Sequence, residues 1–350
     1  MRTFPHLFRI FLALPGFRLR AAALLAVAAA FLLPLPVALA QGPTVTATNP
    51  TSNTVNAPLT STVSITYNQP MSSTTVTSRT FVVHAMQTGR LTQTLGVAGG
   101  KISLTPANPF KPGELVQASA TTGTLNITGT APLSPTVWQF FAAAGSGPAT
   151  FPRGNNVGPA ADFTFSLALG DVNGDGYLDV AVGNDADPNV VYLNNGDGTF
   201  AASGNGFGTG TDNTAAVALG DVDGDGDLDV AVGNFGTQNV VYLNNGDGTF
   251  AASGNNFGPA VDYTLALALG DVDGDGDLDV AVGNNNGQNV VYLNNGDGTF
   301  AAPGNKFGPG NDFTPTVSFG DVDGDGDLDL IVGNKDEQDK IYLNNGDGTF

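Results

Sequence analysis

The chain has 350 residues, no cysteine and a formal net charge of −20, and the charge is unevenly placed: residues 1–150 carry eight Lys/Arg and one acid, Glu114, whereas residues 151–350 carry four Lys/Arg and 31 acids. The absence of cysteine excludes disulfides, zinc–thiolate sites, thiol nucleophiles and acylated lipoprotein anchors, so stapling beyond packing has to come from metal. An acidic C-terminal half at −27 against +7 for the rest repels nucleic acid and anionic lipid, attracts cations, and marks at least two domains.

Residues 1–40 read as an export signal. Arg2, Arg9, Arg18 and Arg20 precede an apolar run over residues 21–33, and Ala38-Leu39-Ala40 offers small residues for cleavage before Gln41. A retained anchor is the competing reading, because about 20 apolar residues span a bilayer. Pro34 and Pro36 beside the cleavage site favour removal. The expectation is a secreted or cell-surface protein, not inserted in the membrane after signal removal, in surroundings where weak calcium sites fill.

Over residues 43–143 apolar residues alternate with Thr and Ser, with turn signals at Asn49-Pro50, Gln69-Pro70, Gly99-Gly100 and Pro112-Gly113. Runs such as Val63-Ser64-Ile65-Thr66-Tyr67 and Thr80-Phe81-Val82-Val83 have the period of two that sends alternate side chains to one face of a strand. Short strands at this spacing, with no helical periodicity, predict a β-sandwich. Trp138 lies in the last predicted strand, Thr136-Val137-Trp138-Gln139-Phe140, and is expected in the core. The opening Pro43-Thr44-Val45, the Ile65-Thr66-Tyr67-Asn68-Gln69-Pro70-Met71 strand and turn, Ile102-Ser103-Leu104-Thr105-Pro106 and the Trp138-Gln139-Phe140 ending resemble bacterial Ig-like domains of secreted and surface-layer proteins. The resemblance implies a spacer or adhesive module without catalytic residues. Residues 144–150, opening with Ala144-Gly145-Ser146-Gly147, read as a linker.

Residues 151–350 hold four repeats, because Asp171, Asp221, Asp271 and Asp321 mark a period of 50. Repeats of this length are stacked units that bury their apolar faces only against neighbours. In the third repeat, residues 265–269, 278–282 and 289–293 read as strands, residues 271–279 as an acidic loop, and Asn294-Asn295-Gly296-Asp297-Gly298 as a tight turn into a last strand at Thr299-Phe300. Four short strands per repeat build a propeller blade. The Asn-Gly and Asp-Gly pairs supply the positive φ that hairpins need, so they read as turn chemistry and not as a second metal site.

The four acidic loops have the form Asp-x-Asp/Asn-x-Asp-Gly-x-x-Asp. Their candidate ligands are Asp171, Asn173, Asp175, Tyr177 and Asp179; Asp221, Asp223, Asp225, Asp227 and Asp229; Asp271, Asp273, Asp275, Asp277 and Asp279; and Asp321, Asp323, Asp325, Asp327 and Asp329. Side chains at positions 1, 3 and 5 converge when Gly at 6 permits a sharp turn, position 7 offers its carbonyl, and position 9 closes the cage. Such an all-oxygen, flexible cage suits calcium better than magnesium, which keeps its waters, or zinc, which favours nitrogen and sulfur. The alternative is a merely solvated acidic loop. Against it, close carboxylate pairs at about 5 Å and an effective dielectric near 20 repel by roughly 3 kcal/mol each. In the first loop Asn173 is neutral and Tyr177 can serve only through its carbonyl, so the weakest affinity of the four is expected there. An EF-hand or dockerin needs an acid at position 12, where these loops carry Val182, Val232, Val282 and Val332.

The run Gly-Asp-Val-Asp-Gly-Asp-Gly-Asp-Leu-Asp-Val, then Val-Gly-Asn, then Tyr-Leu-Asn-Asn-Gly-Asp-Gly-Thr-Phe resembles the VCBS and FG-GAP repeats, the blade units of integrin-α-type β-propellers. The resemblance implies calcium in each matching loop, about four Ca2+ per chain, and a propeller fold. Such propellers have about seven blades, so four repeats imply a fragment, blades that pair between chains, or an open array. An ending on the repeat landmark Phe350 favours a fragment. The fold class expected is therefore all-β: an Ig-like β-sandwich followed by a complete or partial β-propeller of four calcium-binding blades.

Between two strands the repeats differ over four residues: Asp185-Ala186-Asp187-Pro188, Phe235-Gly236-Thr237-Gln238, Asn285-Asn286-Gly287-Gln288 and Lys335-Asp336-Glu337-Gln338. These read either as hairpin tips that tolerate any polar sequence or as loops lining one face that reads a ligand. Catalysis has little support. His6 lies in the export signal, His84 stands alone in a β-rich run, no serine has a Gly-x-Ser-x-Gly setting, and calcium would occupy the aspartates. The reading is a calcium-stabilised adhesion or recognition protein, not an enzyme, whose partner is a carbohydrate or a surface protein and not nucleic acid; the sequence leaves the oligomeric state open. A carbohydrate-active enzyme or its accessory module, and a ligand-free surface-array protein, are the alternatives.

Overall fold

The computed structural model describes residues 42–144, 155–158, 162–208 and 210–350, so the expected export signal and nearly all of the expected linker lie outside the described residues. All regular elements of the described residues are strands, and no helix long and apolar enough to cross a membrane is found among them.

The N-terminal domain comprises β1 (Val45–Asn49), β2 (Thr54–Ala57), β3 (Val63–Tyr67), β4 (Phe81–Ala85), β5 (Gly89–Arg90), β6 (Gly96–Ala98), β7 (Lys101–Leu104), β8 (Leu115–Ala120) and β9 (Thr136–Ala142). One sheet runs β1-β3-β7-β6 and the other β2-β9-β8-β4-β5, facing each other as a sandwich. Alternation builds the shared core. Ile65, Ile102, Phe81, Val83, Phe140 and Trp138 are all within it, and Trp138 stacks at a tilt on Phe81 with centroids 6.0 Å apart.

The second sheet departs from simple alternation. All five residues of β4 are buried, and the side facing away from the sandwich core carries His84, Gln117, Ser119 and Gln139, all buried as well. The registers His84↔Gln117, Gln117↔Gln139 and Ser119↔Val137 put these side chains on one surface. A polar surface that is buried has to be covered, and the repeat domain covers it.

The first blade is β10 (Thr164–Gly170), β11 (Asp179–Asn184), β12 (Asn189–Tyr192) and β13 (Asn205–Phe207); the second is β14 (Thr214–Gly220), β15 (Asp229–Asn234), β16 (Asn239–Tyr242) and β17 (Asn255–Phe257). In the third, β18 (Thr264–Gly270) precedes β19 (Asp279–Tyr292), which covers the second and third strand positions in one run, and β20 (Asn305–Phe313) follows. The fourth has three strands: β21 (Thr316–Gly320), β22 (Asp329–Gly333) and β23 (Lys340–Tyr342). The first three strand positions agree with the sequence reading. The fourth strand does not, because it lies at 305–307 and its equivalents, while Phe300 makes only an isolated bridge to Asn294.

Blades stack through one recurring junction. Val172 and Val191 of the first blade pack with Val217, Leu219, Val230 and Tyr242 of the second, and the same positions join the second to the third and the third to the fourth. Gly170 lets this happen: a Cβ there would stand 2.6 Å from Leu228 of the next blade. The sheets are not closed into a ring, as befits a partial propeller. Within each blade Gly220↔Asp229 and its equivalents lie at one end and Thr214↔Asn234 at the other, so the acidic loops and the variable tips occupy opposite ends of the sheets.

Candidate functional site

The acidic loops fold as the spacing predicts. Glycines at loop positions 4 and 6 both take positive φ, for example Gly224 at 77° and Gly226 at 108°, which bends nine residues into a cup. One carboxylate oxygen from each of Asp221, Asp223 and Asp225 lies within 4.8 Å of the others, and the same holds for Asp321, Asp323 and Asp325 and for Asp271, Asp273 and Asp279. Position 7 side chains turn away: Asp227, Asp277 and Asp327 lie against Gly246, Gly296 and Gly346, and Tyr177 against Gly196.

Position 9 has a second role that spacing does not reveal. Asp229 Oδ2 accepts from Val222 N at 2.9 Å and Oδ1 from Asn244 N at 2.8 Å, and Asp179, Asp279 and Asp329 repeat both bonds. This aspartate ties the acidic loop to the Asn-Gly-Asp-Gly turn. The turn aspartates bond locally, as turn chemistry requires: Asp297 Oδ1 accepts from both N and Oγ1 of Thr299.

Burial strains these carboxylates. It pushes Asp229 and Asp271 up to about 8 and Asp221, Asp275 and Asp327 up to about 6, and it holds Asp279 well above the usual range, with the neighbouring aspartates adding to the rise. Oδ1 of buried Asp171 and of fully buried Asp271 has no hydrogen-bond partner, although Oδ2 of each accepts from the loop's own Gly176 or Gly276 N–H. Buried acceptors without donors, grouped with further carboxylates, form a donor set that fits a hard cation such as calcium.

The Ig-like domain touches all four loops, while Asp175, Asp225, Asp275 and Asp325 at their tips stay exposed. Gln87 O accepts from Asp171 N, and Lys111 Nζ stands 3.3 Å from Asp171 Oδ2 while also donating to Gly176 O. Gly89, at φ 95°, approaches Gly226 O so closely that a Cβ would sit 2.5 Å from it, and the Arg90 guanidinium lies against Gly224. His84 Nε2 donates to Gly276 O at 3.0 Å, and Pro135 packs on Gly274. At the fourth loop Val137 N donates to Gly326 O, Ser52 Oγ to Asp321 Oδ2 and Asn53 Nδ2 to Asp321 O. The module is thus docked on the repeats, with Lys111 and Arg90 against the first two acidic loops.

The variable tips form a second site at the far end. Their second residues, Ala186, Gly236, Asn286 and Asp336, all have positive φ, so the four turns share one left-handed shape beneath different side chains. A cavity of about 570 Å³ opens there, walled by Phe165, Phe235 and Phe313 and reached by Asp185 and Asn285. The first three blades and the connection into the fourth, at Pro315, contribute to it. Phe235 meets Tyr263 edge-on at 5.2 Å, Lys335 Nζ sits 4.8 Å over Phe313, and Asn285 Oδ1 has no hydrogen-bond partner.

Comparison with known families decides the assignment. A family model described as FG-GAP-like repeat matches residues 171–232, 221–282, 271–332 and 321–350, more than half the chain. The chain belongs to the FG-GAP-like repeat family. Each match opens at position 1 of an acidic loop, so the FG-GAP-like unit includes the loop, two strands and the turn that position 9 holds. A model described as bacterial Ig-like domain matches residues 40–141. No curated protein matches the chain. FG-GAP-like repeats joined to an Ig-like domain are the make-up of an extracellular adhesion- or recognition-type protein, and both modules are of ordinarily non-catalytic kinds.

Proposed function

We propose that this is a secreted or cell-surface recognition protein whose FG-GAP-like loops hold structural calcium and whose tip-end cavity takes a carbohydrate. The carrying observation is the cavity: all four variable tips belong to one end of the array, and the first residues of three of them line one hollow. Aromatic walls stack on the C–H faces of a sugar ring, while Asp185 and the unpartnered Asn285 Oδ1 offer acceptors to its hydroxyls. The loop end is ill placed for this work, since the Ig-like domain lies over it.

In the loops, Asp or Asn side chains at positions 1, 3 and 5 and the position 7 carbonyl would hold the ion, and position 9 would fix the loop's frame and, in the third loop, join the cluster. Calcium, when bound, supplies counter-charge to carboxylates that burial otherwise disfavours. The first loop already has a cation beside it in Lys111, which supports its being the weakest of the four.

Glycan-array screening followed by calorimetry tests the cavity. Phe235→Ala and Asn285→Ala should each weaken the best glycan at least tenfold while the calcium-loaded melt is unchanged. Full binding by both variants, or no glycan bound by the parent chain, would sink the carbohydrate reading.

A further inference from the structure

The tip-end cavity carries a charge pattern that narrows what it takes. Among the described residues that line it Asp185 is the one with a charge, and no ion pair of the described residues includes it. Over the four variable tips, Asp185, Asp187, Asp336 and Glu337 stand against Lys335 alone. A hollow under such an excess of carboxylate draws cations and turns anions away.

The fourth tip shows how this end of the array holds an ammonium. Lys335 Nζ sits 4.8 Å over the Phe313 ring, while Lys335 N donates to Phe313 O at 2.8 Å. Asp185 occupies the same position three repeats earlier, and its N makes the same bond, also at 2.8 Å, to Phe163 O. Its side chain is a carboxylate, so the first tip has no ammonium of its own. It does have a ring at hand. Thr164 pairs with Asn184, which brings Phe165 beside Asp185 at the cavity wall. Phe165, Ala215, Leu265 and Pro315 share one repeat position and all line the cavity, and the first alone is aromatic. Ring and carboxylate therefore stand together on the first blade. The face of an aromatic ring attracts a cation, and a carboxylate beside it adds a charge-assisted hydrogen bond.

Resting on the carbohydrate reading above, we propose that the saccharide bears a protonated amine: an amino sugar with its nitrogen unacylated, the ammonium held between the Phe165 ring and the Asp185 carboxylate. Lys335 sets the direction. It repels an amine at the fourth tip, whereas Asp185 attracts one at the first, so the nitrogen lies toward the first blade. Asn285 Oδ1, which has no hydrogen-bond partner, then accepts from a hydroxyl of the same saccharide. Acylating the nitrogen removes the charge that this arrangement reads, and a uronic acid reverses it.

Calorimetry of the full chain in calcium buffer, at a pH low enough to protonate the amine, compares three probes of equal length: an oligomer of glucosamine, its N-acetylated form and an oligomer of glucuronic acid. The amine form should bind about tenfold tighter than the acetylated form. Added salt should shrink that ratio, because the charges at the tips are open to screening. Asp185→Asn keeps an oxygen acceptor and drops the charge, so it should bring the ratio to about one, whereas Asp185→Glu should retain most of it. Lys335→Gln removes the opposing cation and should tighten the amine form further. Acetylated oligomer bound as tightly as the amine form, glucuronate bound tighter than either, or a preference that survives Asp185→Asn would overturn the proposal while the carbohydrate reading stands. Binding of none of the three probes, with another glycan bound on the array, would overturn it in the same way, and a chain that binds no glycan at all would remove both.

Discussion

Two single positions show backbone and charge working against ordinary preference. Ala186 holds φ 59° at an exposed tip where the second blade has Gly236. A left-handed alanine costs about 1–2 kcal/mol, and replacing it by glycine gives back part of this as unfolded-state entropy. Ala186→Gly should therefore stabilise by about 0.5–1 kcal/mol in urea denaturation, and Gly236→Ala should destabilise; equal midpoints for all three proteins would contradict the strain. His84 is the other case. Burial, with a smaller push from Arg90, holds it down at about 4 although it donates to Gly276 O. Its folded pKa is depressed, so the unfolded chain binds the extra proton between about pH 4 and the ordinary value near 6.5. Its contribution is fully present above that window and lost as pH falls through it, by up to about 3 kcal/mol. His84→Gln keeps a donor and does not titrate. The difference between the two stability–pH curves should slope in this window and be flat above it, and a difference flat throughout would show that His84 is not held neutral in the interface.

At the scale of strand and loop, ligand and framework roles separate. Asp229 is 1% exposed and accepts from two buried N–H groups, whereas Asp223 is partly exposed and accepts only from Asp225 N within its own loop. Asp229→Ala should cost about 2–4 kcal/mol with or without calcium, because it orphans two donors. Asp223→Ala should cost little in chelator and lose the second loop's share, about a quarter, of the calcium-induced gain. Urea titrations of both variants in calcium and in chelator check this, and similar behaviour of the two would undo the division. Much of this element was legible: the period of 50, the alternation in residues 265–269 and the carboxylate spacing all rest on local pattern. The fourth strand was not, because Asn205-Gly206-Phe207 is three residues long with a glycine inside and has no strand periodicity to read. Thr299-Phe300 offered better β-formers, yet the turn bond to Asp297 holds Thr299 out of the ladder. The tip cavity was legible only as sequence variation, since its walls come from three blades and the connection into the fourth, up to 150 residues apart, from Phe165 to Pro315.

For the whole molecule, the docking of the Ig-like domain matters most, and it lay beyond sequence reading because its carriers are single residues. Lys111, Arg90 and His84 meet loops 65, 134 and 192 positions away, and no local pattern encodes such pairs. Docking predicts a coupling that one fluorophore can report. Trp138 is the chain's one tryptophan, sits in the sandwich core at 1% exposure, and belongs to a domain with none of the expected calcium ligands. Were the domains independent, calcium would leave its unfolding unchanged. With β4, β8 and β9 resting on the loops, ions that stabilise the loops also stabilise the surface on which that sheet is buried. The Trp138-monitored midpoint should therefore rise with calcium, in step with the circular-dichroism midpoint of the whole chain, and calorimetry should count about four ions, the first loop filling last. A tryptophan transition that ignores calcium while the rest of the chain responds would show that the two domains fold separately and that the loop contacts carry no energy between them.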